Sequence, residues 1–200
     1  LSSFHSWSVA YSLAWAQGNS SRTIIQDETT NLREFPLDWD VRHNMSVNFT
    51  FRIARGEEFF VPFTDFILPL DDFTANLNWS YSSGAPYTPV SMEGNSELDT
   101  NSKRMKSSKA ANLRITKGIN LPNKMNIRLY AEVENLFKNK NISQVYPKTG
   151  SYTFDGELID EALIPGFVYE EVAYATSLGT NNPTYYNDFR SVSLGFSFNF

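Results

Sequence analysis

The feature that most restricts what this chain can fold into is a two-residue alternation of apolar and polar side chains that returns six times. It runs first as Trp7, Val9, Tyr11, Leu13 and Trp15 against Ser6, Ser8, Ala10, Ser12 and Ala14. It returns as Val41, Met45, Val47, Phe49, Phe51 and Ile53 against Asn44, Ser46, Asn48, Thr50 and Arg52, with His43 interrupting the apolar side near its end. A third run sets Phe73, Ala75, Leu77, Trp79 and Tyr81 against Thr74, Asn76, Asn78 and Ser80. A weaker fourth sets Leu113, Ile115 and Ile119 against Asn112, Arg114 and Thr116, and Lys117 breaks its apolar side near the end, where a long stem can carry the charge away. The fifth places Met125, Ile127, Leu129, Ala131 and Val133 opposite Asn126, Arg128, Tyr130, Glu132 and Glu134. The sixth ends the chain with Val192, Leu194, Phe196, Phe198 and Phe200 opposite Ser191, Ser193, Gly195, Ser197 and Asn199. Successive side chains on a strand point to opposite faces, so period two means strands with one greasy and one wet face.

A half-buried sheet in water shows the same alternation, and three features separate the alternatives. The runs mostly reach about nine residues or more, against a usual strand of ~5–6. The connections around Gln17 to Leu37, Ser83 to Lys109 and Lys138 to Phe189 are long and Asn120 to Lys124 is short, the long-outside, short-inside arrangement of outer-membrane barrels. Only Gly56 to Asp71 is an oversized connection on the short side. Aromatics at Trp7, Trp15, Trp39, Tyr81 and Phe200 stand near strand ends, where interfacial girdles lie. The mean hydropathy of −0.36 does not oppose this, because averaging over both faces of a membrane strand cancels the signal.

The expected fold is therefore all-β, an antiparallel up-and-down transmembrane β-barrel segment with six long strands. The expected lipid-facing residues are Trp7, Val9, Tyr11, Leu13, Trp15, Val47, Phe49, Phe51, Leu77, Trp79, Ile127, Leu129, Leu194 and Phe196. Each large apolar side chain that is fully buried contributes roughly 1.5–3 kcal/mol, whereas a Lys or Arg near the midplane of that face costs about 2–4 kcal/mol. The five stronger runs carry none there. The expected lumen-facing residues are Arg52, Asn76, Asn78, Arg114, Arg128, Glu132 and Glu134, a set that calls for a wide, wet or plugged interior.

Ser193, Gly195, Phe198 and Phe200 follow the spacing polar, any, Gly, any, any, aromatic, any, aromatic. This resembles the C-terminal signal by which the barrel assembly machinery recognises outer-membrane barrels. More of the chain points to one family. Pro36-Leu37-Asp38-Trp39-Asp40-Val41-Arg42-His43, Ser83-Gly84-Ala85-Pro86-Tyr87-Thr88-Pro89, Val133-Glu134-Asn135-Leu136-Phe137, Val145-Tyr146-Pro147-Lys148-Thr149-Gly150 and the closing Arg190 to Phe200 resemble the last strands of TonB-dependent outer-membrane receptors, in the same order. The resemblance implies a receptor of many more strands, in the bacterial outer membrane with a periplasmic C-terminus and extracellular long loops. It implies a lumen filled by an N-terminal plug and import of a scarce ligand, a siderophore, saccharide or similar, when the inner-membrane TonB complex pulls on that plug. The departure is that residues 1–200 contain no plug domain. Six strands cannot close, since the smallest barrels have eight, so the expectation is a C-terminal barrel segment whose other strands lie upstream or on another chain. A porin-like or adhesive barrel without energised transport is the alternative.

The sharper chemical readings are weaker. A net charge of −5 offers no basic footprint for nucleic acid. The chain has no cysteine and only two histidines, His5 and His43, so no metal site is expected. With no Gly-x-Ser-x-Gly elbow and Glu132 and Glu134 read as ion-pair partners of Arg114 or Arg128, no catalytic residue, enzyme activity or cofactor is expected either. The acidic last loop lacks a calcium-loop register, and ordinary solvation is its default role. Its rings, including Tyr146, Tyr152, Tyr169 and Tyr174, are candidate ligand contacts, since aromatic loops can stack on a sugar or chelator as well as on one another.

Overall fold

A computed structural model of the chain describes residues 4–19, 33–60, 63, 66–68, 70–91, 99–122, 125–155, 182–187 and 189–200. Six long strands appear: β1 (His5–Leu13), β2 (His43–Ile53), β3 (Phe73–Ser82), β4 (Ser108–Asn120), β5 (Asn126–Glu134) and β6 (Ser191–Asn199). Each pairs antiparallel with the next in chain order, forming one six-stranded meander. The class is all-β. Among the described residues the sheet does not close: β1 and β6 are its edges, each with one neighbour.

Register decides whether six separate alternations add up to two real faces, because a slip of one residue at any pairing would reverse every strand beyond it. No slip occurs. One row of directly opposed residues reads Trp7, Phe49, Leu77, Leu113, Val133, Val192. The next on that face reads His5, Phe51, Ala75, Ile115, Ala131, Leu194. Between them, on the other face, stands Ser6, Thr50, Asn76, Arg114, Glu132, Ser193. Every strand residue expected on the lipid side shares the apolar face, and every residue expected in the lumen shares the polar one.

The strands are also stepped. Measured from the Trp7 to Val192 row, the midpoint of β1, Val9, lies two residues above it, and the midpoint of β6, Gly195, three residues below. That is five residues over five strand-to-strand steps. One residue of ~3.3 Å per ~4.8 Å of lateral spacing corresponds to a strand tilt of about 35°, the stagger that sheets need in order to curl into barrels.

Among the described residues almost nothing lies against either face. Among the described residues only Ile53 and Ala111 are buried hydrophobics. Trp7 is 69% exposed, Leu194 79% and Phe196 76%, and Val9, Tyr11, Leu13, Phe49 and Leu129 are exposed as well. A sheet of this size in water would cover one face with a second layer.

Three details differ from the sequence reading. β1 stops at Leu13, so Trp15 lies beyond the strand, exposed above its end. The second strand starts at His43 rather than Val41. The fourth, weakest in pattern, is the longest at 13 residues, because Ser108 to Ala111 pair with Ser82 to Trp79 although Lys109 falls on the apolar face. Cross-strand pairing supplies there what alternation does not.

The β4–β5 connection is tight, with the Leu121 amide donating to the Met125 carbonyl at 2.9 Å. The β2–β3 connection holds a two-residue ladder, Phe59–Phe60 with Ile67–Leu68. At the opposite end the long connections continue above the sheet as short ladders: Gln17–Gly18 with Phe35–Pro36, Pro86–Tyr87 with Lys103–Arg104, and Asn141–Ile142 with Tyr186–Asn187. The stretch from Phe167 to Leu178 lies outside the described residues.

Candidate functional site

The polar face is graded along its length. Towards the long connections it is an uncharged carpet: Ser8, Asn48, Asn78, Asn112 form one row and Ser12, Asn44, Ser82, Ser108 another. Its members bond across strands. Asn78 Nδ2 donates to Asn48 Oδ1 at 2.6 Å, Asn48 Nδ2 to Ser8 Oγ at 3.4 Å, and the Ser82 and Ser108 hydroxyls meet at 2.6 Å. An open hollow of 470 Å³ lies at this end, lined by Ser12, Asn44, Ser46, Ser80 and Ser82 among others.

Charge enters one row down, at Arg114 and Glu132, and on β5 at Glu134, the last residue of that strand, opposite Ser191. Arg114 and Glu132, directly opposed, form an ion pair at 3.7 Å, the pairing expected of Glu132. Arg114 also lies 5.2 Å over the Tyr130 ring. Glu134 instead accepts from Ser191 Oγ at 2.7 Å. Tyr130 itself folds over Gly195, where a methyl group would overlap its Cζ and Oη. The glycine of the terminal pattern thus has a local steric reason, since the ring of the neighbouring strand occupies the place of a side chain. Ser193 shares its face, Phe198 stands on the apolar face opposite Ile127, and Phe198 and Phe200 have ring centroids 6.1 Å apart.

Two of the segments that carried the family resemblance, Pro36 to His43 and Ser83 to Pro89, meet above the sheet through Arg104. Asp40, 1% exposed, accepts from the Ala16 amide at 2.8 Å, is bonded by Arg104 Nη2, and lies 3.5 Å from Arg42 Nε. Arg104 also donates to the carbonyls of Asp40 at 2.6 Å and Gly84 at 3.1 Å. Burial pushes the Asp40 carboxyl up, but the Ala16 amide and the two guanidinium groups outweigh it and hold it below the usual carboxylate range. Asn101, buried and in the left-handed region at φ +53°, donates from Nδ2 to the Pro36 carbonyl and to Asp38 Oδ1, both at 2.8 Å. Val90 donates to the Pro147 carbonyl at 3.1 Å. The sequence reading missed Arg104 and Asn101, which stand more than sixty residues from Asp40 and from Pro36 and Asp38.

Asn135 opens the Asn-Leu-Phe segment with a left-handed φ of +49°. Its amide donates to Asn112 Oδ1 at 3.0 Å, its Oδ1 accepts from Asn139 N at 2.9 Å, and its Nδ2 donates to the carbonyls of Asn139 at 3.0 Å and Phe189 at 3.3 Å. It ties the top of β5 to the chain entering β6.

Of the candidate ligand-contact rings, Tyr146 packs on Tyr185 at 4.9 Å and Tyr152 edge-on to Tyr186 at 5.4 Å, with Lys140 Nζ 4.8 Å from the Tyr186 ring centre. These rings face one another across the last long connection. Tyr169 and Tyr174 lie outside the described residues. His43 Nδ1 lies 2.8 Å from Tyr11 Oη, and His5 falls at the edge of the apolar face. Among the described residues no three His, Cys, Asp or Glu side chains gather as metal ligands. No family model, no curated protein and no solved structure matches the chain.

Proposed function

We propose that this chain is the C-terminal portion of a TonB-dependent outer-membrane receptor, an outer-membrane transport component that supplies barrel wall and extracellular loops for uptake of a scarce ligand. The observation that carries the reading is the faultless register of a stepped six-stranded meander with an exposed apolar face and a hydrogen-bonding polar one. In hydrocarbon a strand must satisfy every backbone group through its neighbours and close on itself, so the edges at β1 and β6 are the seams where further strands join. Lipid takes the place of a second layer that the described residues do not supply. The polar face lines the lumen, and its upper part, uncharged from β1 to β4, forms the entrance with the tied loops above it. The barrel assembly machinery would act on the β6 end.

Conductance of the purified full-length protein in planar bilayers tests the transport part. A plugged, nearly silent barrel is expected; a large steady pore would mean a passive porin-like barrel instead. Recovery in the soluble fraction without detergent would overturn the membrane reading itself.

A further inference from the structure

The β2–β3 connection is odd for a short-side turn. From Phe59 to Leu70 the chain has four phenylalanines and a single charge, Asp65. Connections are commonly rich in Ser, Thr, Asn, Asp, Gly and Pro, whereas this one is mostly apolar. Its base is anchored by polar bonds: the Ala54 amide donates to Glu57 Oε2 at 3.0 Å, the Gly56 amide to Asp71 Oδ1 at 2.5 Å, and Lys117 Nζ to the Asp71 carbonyl. Its ladder residue Phe59 packs edge-on against both Phe51 and Phe4, each at 5.3 Å. Phe51 belongs to the apolar face, so the hairpin leans to that side of the sheet and not into the polar side. Ile53, on the same face, is 1% exposed. Beyond Phe59 the tip presents Phe60, Phe63, Phe66 and Ile67, all exposed.

We propose that this hairpin is an interfacial foot: Phe60, Phe63, Phe66 and Ile67 insert into the periplasmic edge of the lipid layer beside the barrel wall, among the upper acyl chains of phospholipid. The proposal rests on the reading of the apolar face as lipid-facing, and continuity with that face through the Phe59 to Phe51 contact is what selects lipid as the occupant. Aromatic side chains favour this depth, and the charged base formed by Arg55, Glu57, Glu58, Asp71 and Asp72 stays at the aqueous boundary.

The chain contains no cysteine, so with any cysteine upstream replaced by serine one introduced residue marks one place. Phe63→Cys, labelled with an environment-sensitive fluorophore in the full-length protein reconstituted in phosphatidylethanolamine and phosphatidylglycerol vesicles, should emit to the blue. It should be quenched by nitroxide on the upper acyl chain and be insensitive to aqueous iodide. Leu194→Cys reports the apolar face and Asn78→Cys the polar face in parallel. If Leu194→Cys reads lipid while Phe63→Cys is quenched by iodide, the foot is refuted and the membrane reading stands. If both read water, both fall. If Phe63→Cys is shielded from iodide and from lipid quencher alike, protein covers the tip and the proposal is wrong. Phe60→Cys gives the same readings should the Phe63 variant not assemble.

Discussion

Replacing Leu77 and its neighbour Asn78 by arginine sets the two faces against each other at one point of the sheet. Leu77 is the fifth of ten residues in β3, with Phe49 and Leu113 directly opposite. If lipid borders this face, a guanidinium near the middle of the strand costs about 2–4 kcal/mol. At ~1.4 kcal/mol per tenfold, that shifts the balance from inserted to unfolded protein by roughly 30-fold to several hundredfold. Asn78 points the other way and gives up its bond to Asn48 Oδ1, worth about 0.5–1.5 kcal/mol. An arginine there meets the Asn48 and Asn112 side chains and water. The assay is urea-dependent folding of the full-length protein into lipid vesicles, followed by heat-modifiable migration and tryptophan fluorescence. Leu77→Arg should lower the urea midpoint clearly more than Asn78→Arg. Equal midpoints, or the reverse order, would refute the face assignment.

The loop rim has a defined acid sensitivity. Because the folded Asp40 carboxyl is held below its ordinary value, its stabilisation is complete above the unfolded pKa of ~3.9 and is lost as the pH falls through the folded value. Amide protection of residues 99–105, corrected for intrinsic exchange, should therefore hold down to about pH 4 and then drop, whereas Asp40→Asn should be less protected above pH 4, by about 1–3 kcal/mol, and flatter with pH. Gly195→Ala should destabilise by about 1–3 kcal/mol through overlap with Tyr130, and adding Tyr130→Ala should recover part of that loss in a double-mutant cycle; strict additivity would show that the two residues do not compete for space. Deleting Phe200 should lower the amount of heat-modifiable protein in the membrane fraction, and unchanged levels would mean that the terminal pattern has no part in assembly.

The six strands were legible because a sheet with one apolar face writes its period directly into the chain. The same logic explains the errors. Alternation lapses at Ser108 to Ala111, where Lys109 stands on the apolar face and the strand is held by pairing with β3. It continues past Leu13 to Trp15, where the backbone has already left the ladder. The ion pair of Arg114 with Glu132 followed from face and proximity in sequence, but Asp40 with Arg104 did not, since only the meeting of two long connections brings them together. The terminal spacing marks Gly195, but that Tyr130 fills its place follows only from the β5–β6 register.

Asn135 has a consequence for how such a protein can vary. Through one side chain it clasps both the departing and the returning arms of the last long connection, at Asn139 and Phe189, and the Asn141–Asn187 pairing closes the neck just above. Whatever is spliced between those arms enters and leaves at a fixed doorway, so length can change there at a closure penalty of only about 0.6 kcal/mol per doubling. The sheet beneath keeps its alignment while what is inserted past that doorway is free to be exchanged as a cassette.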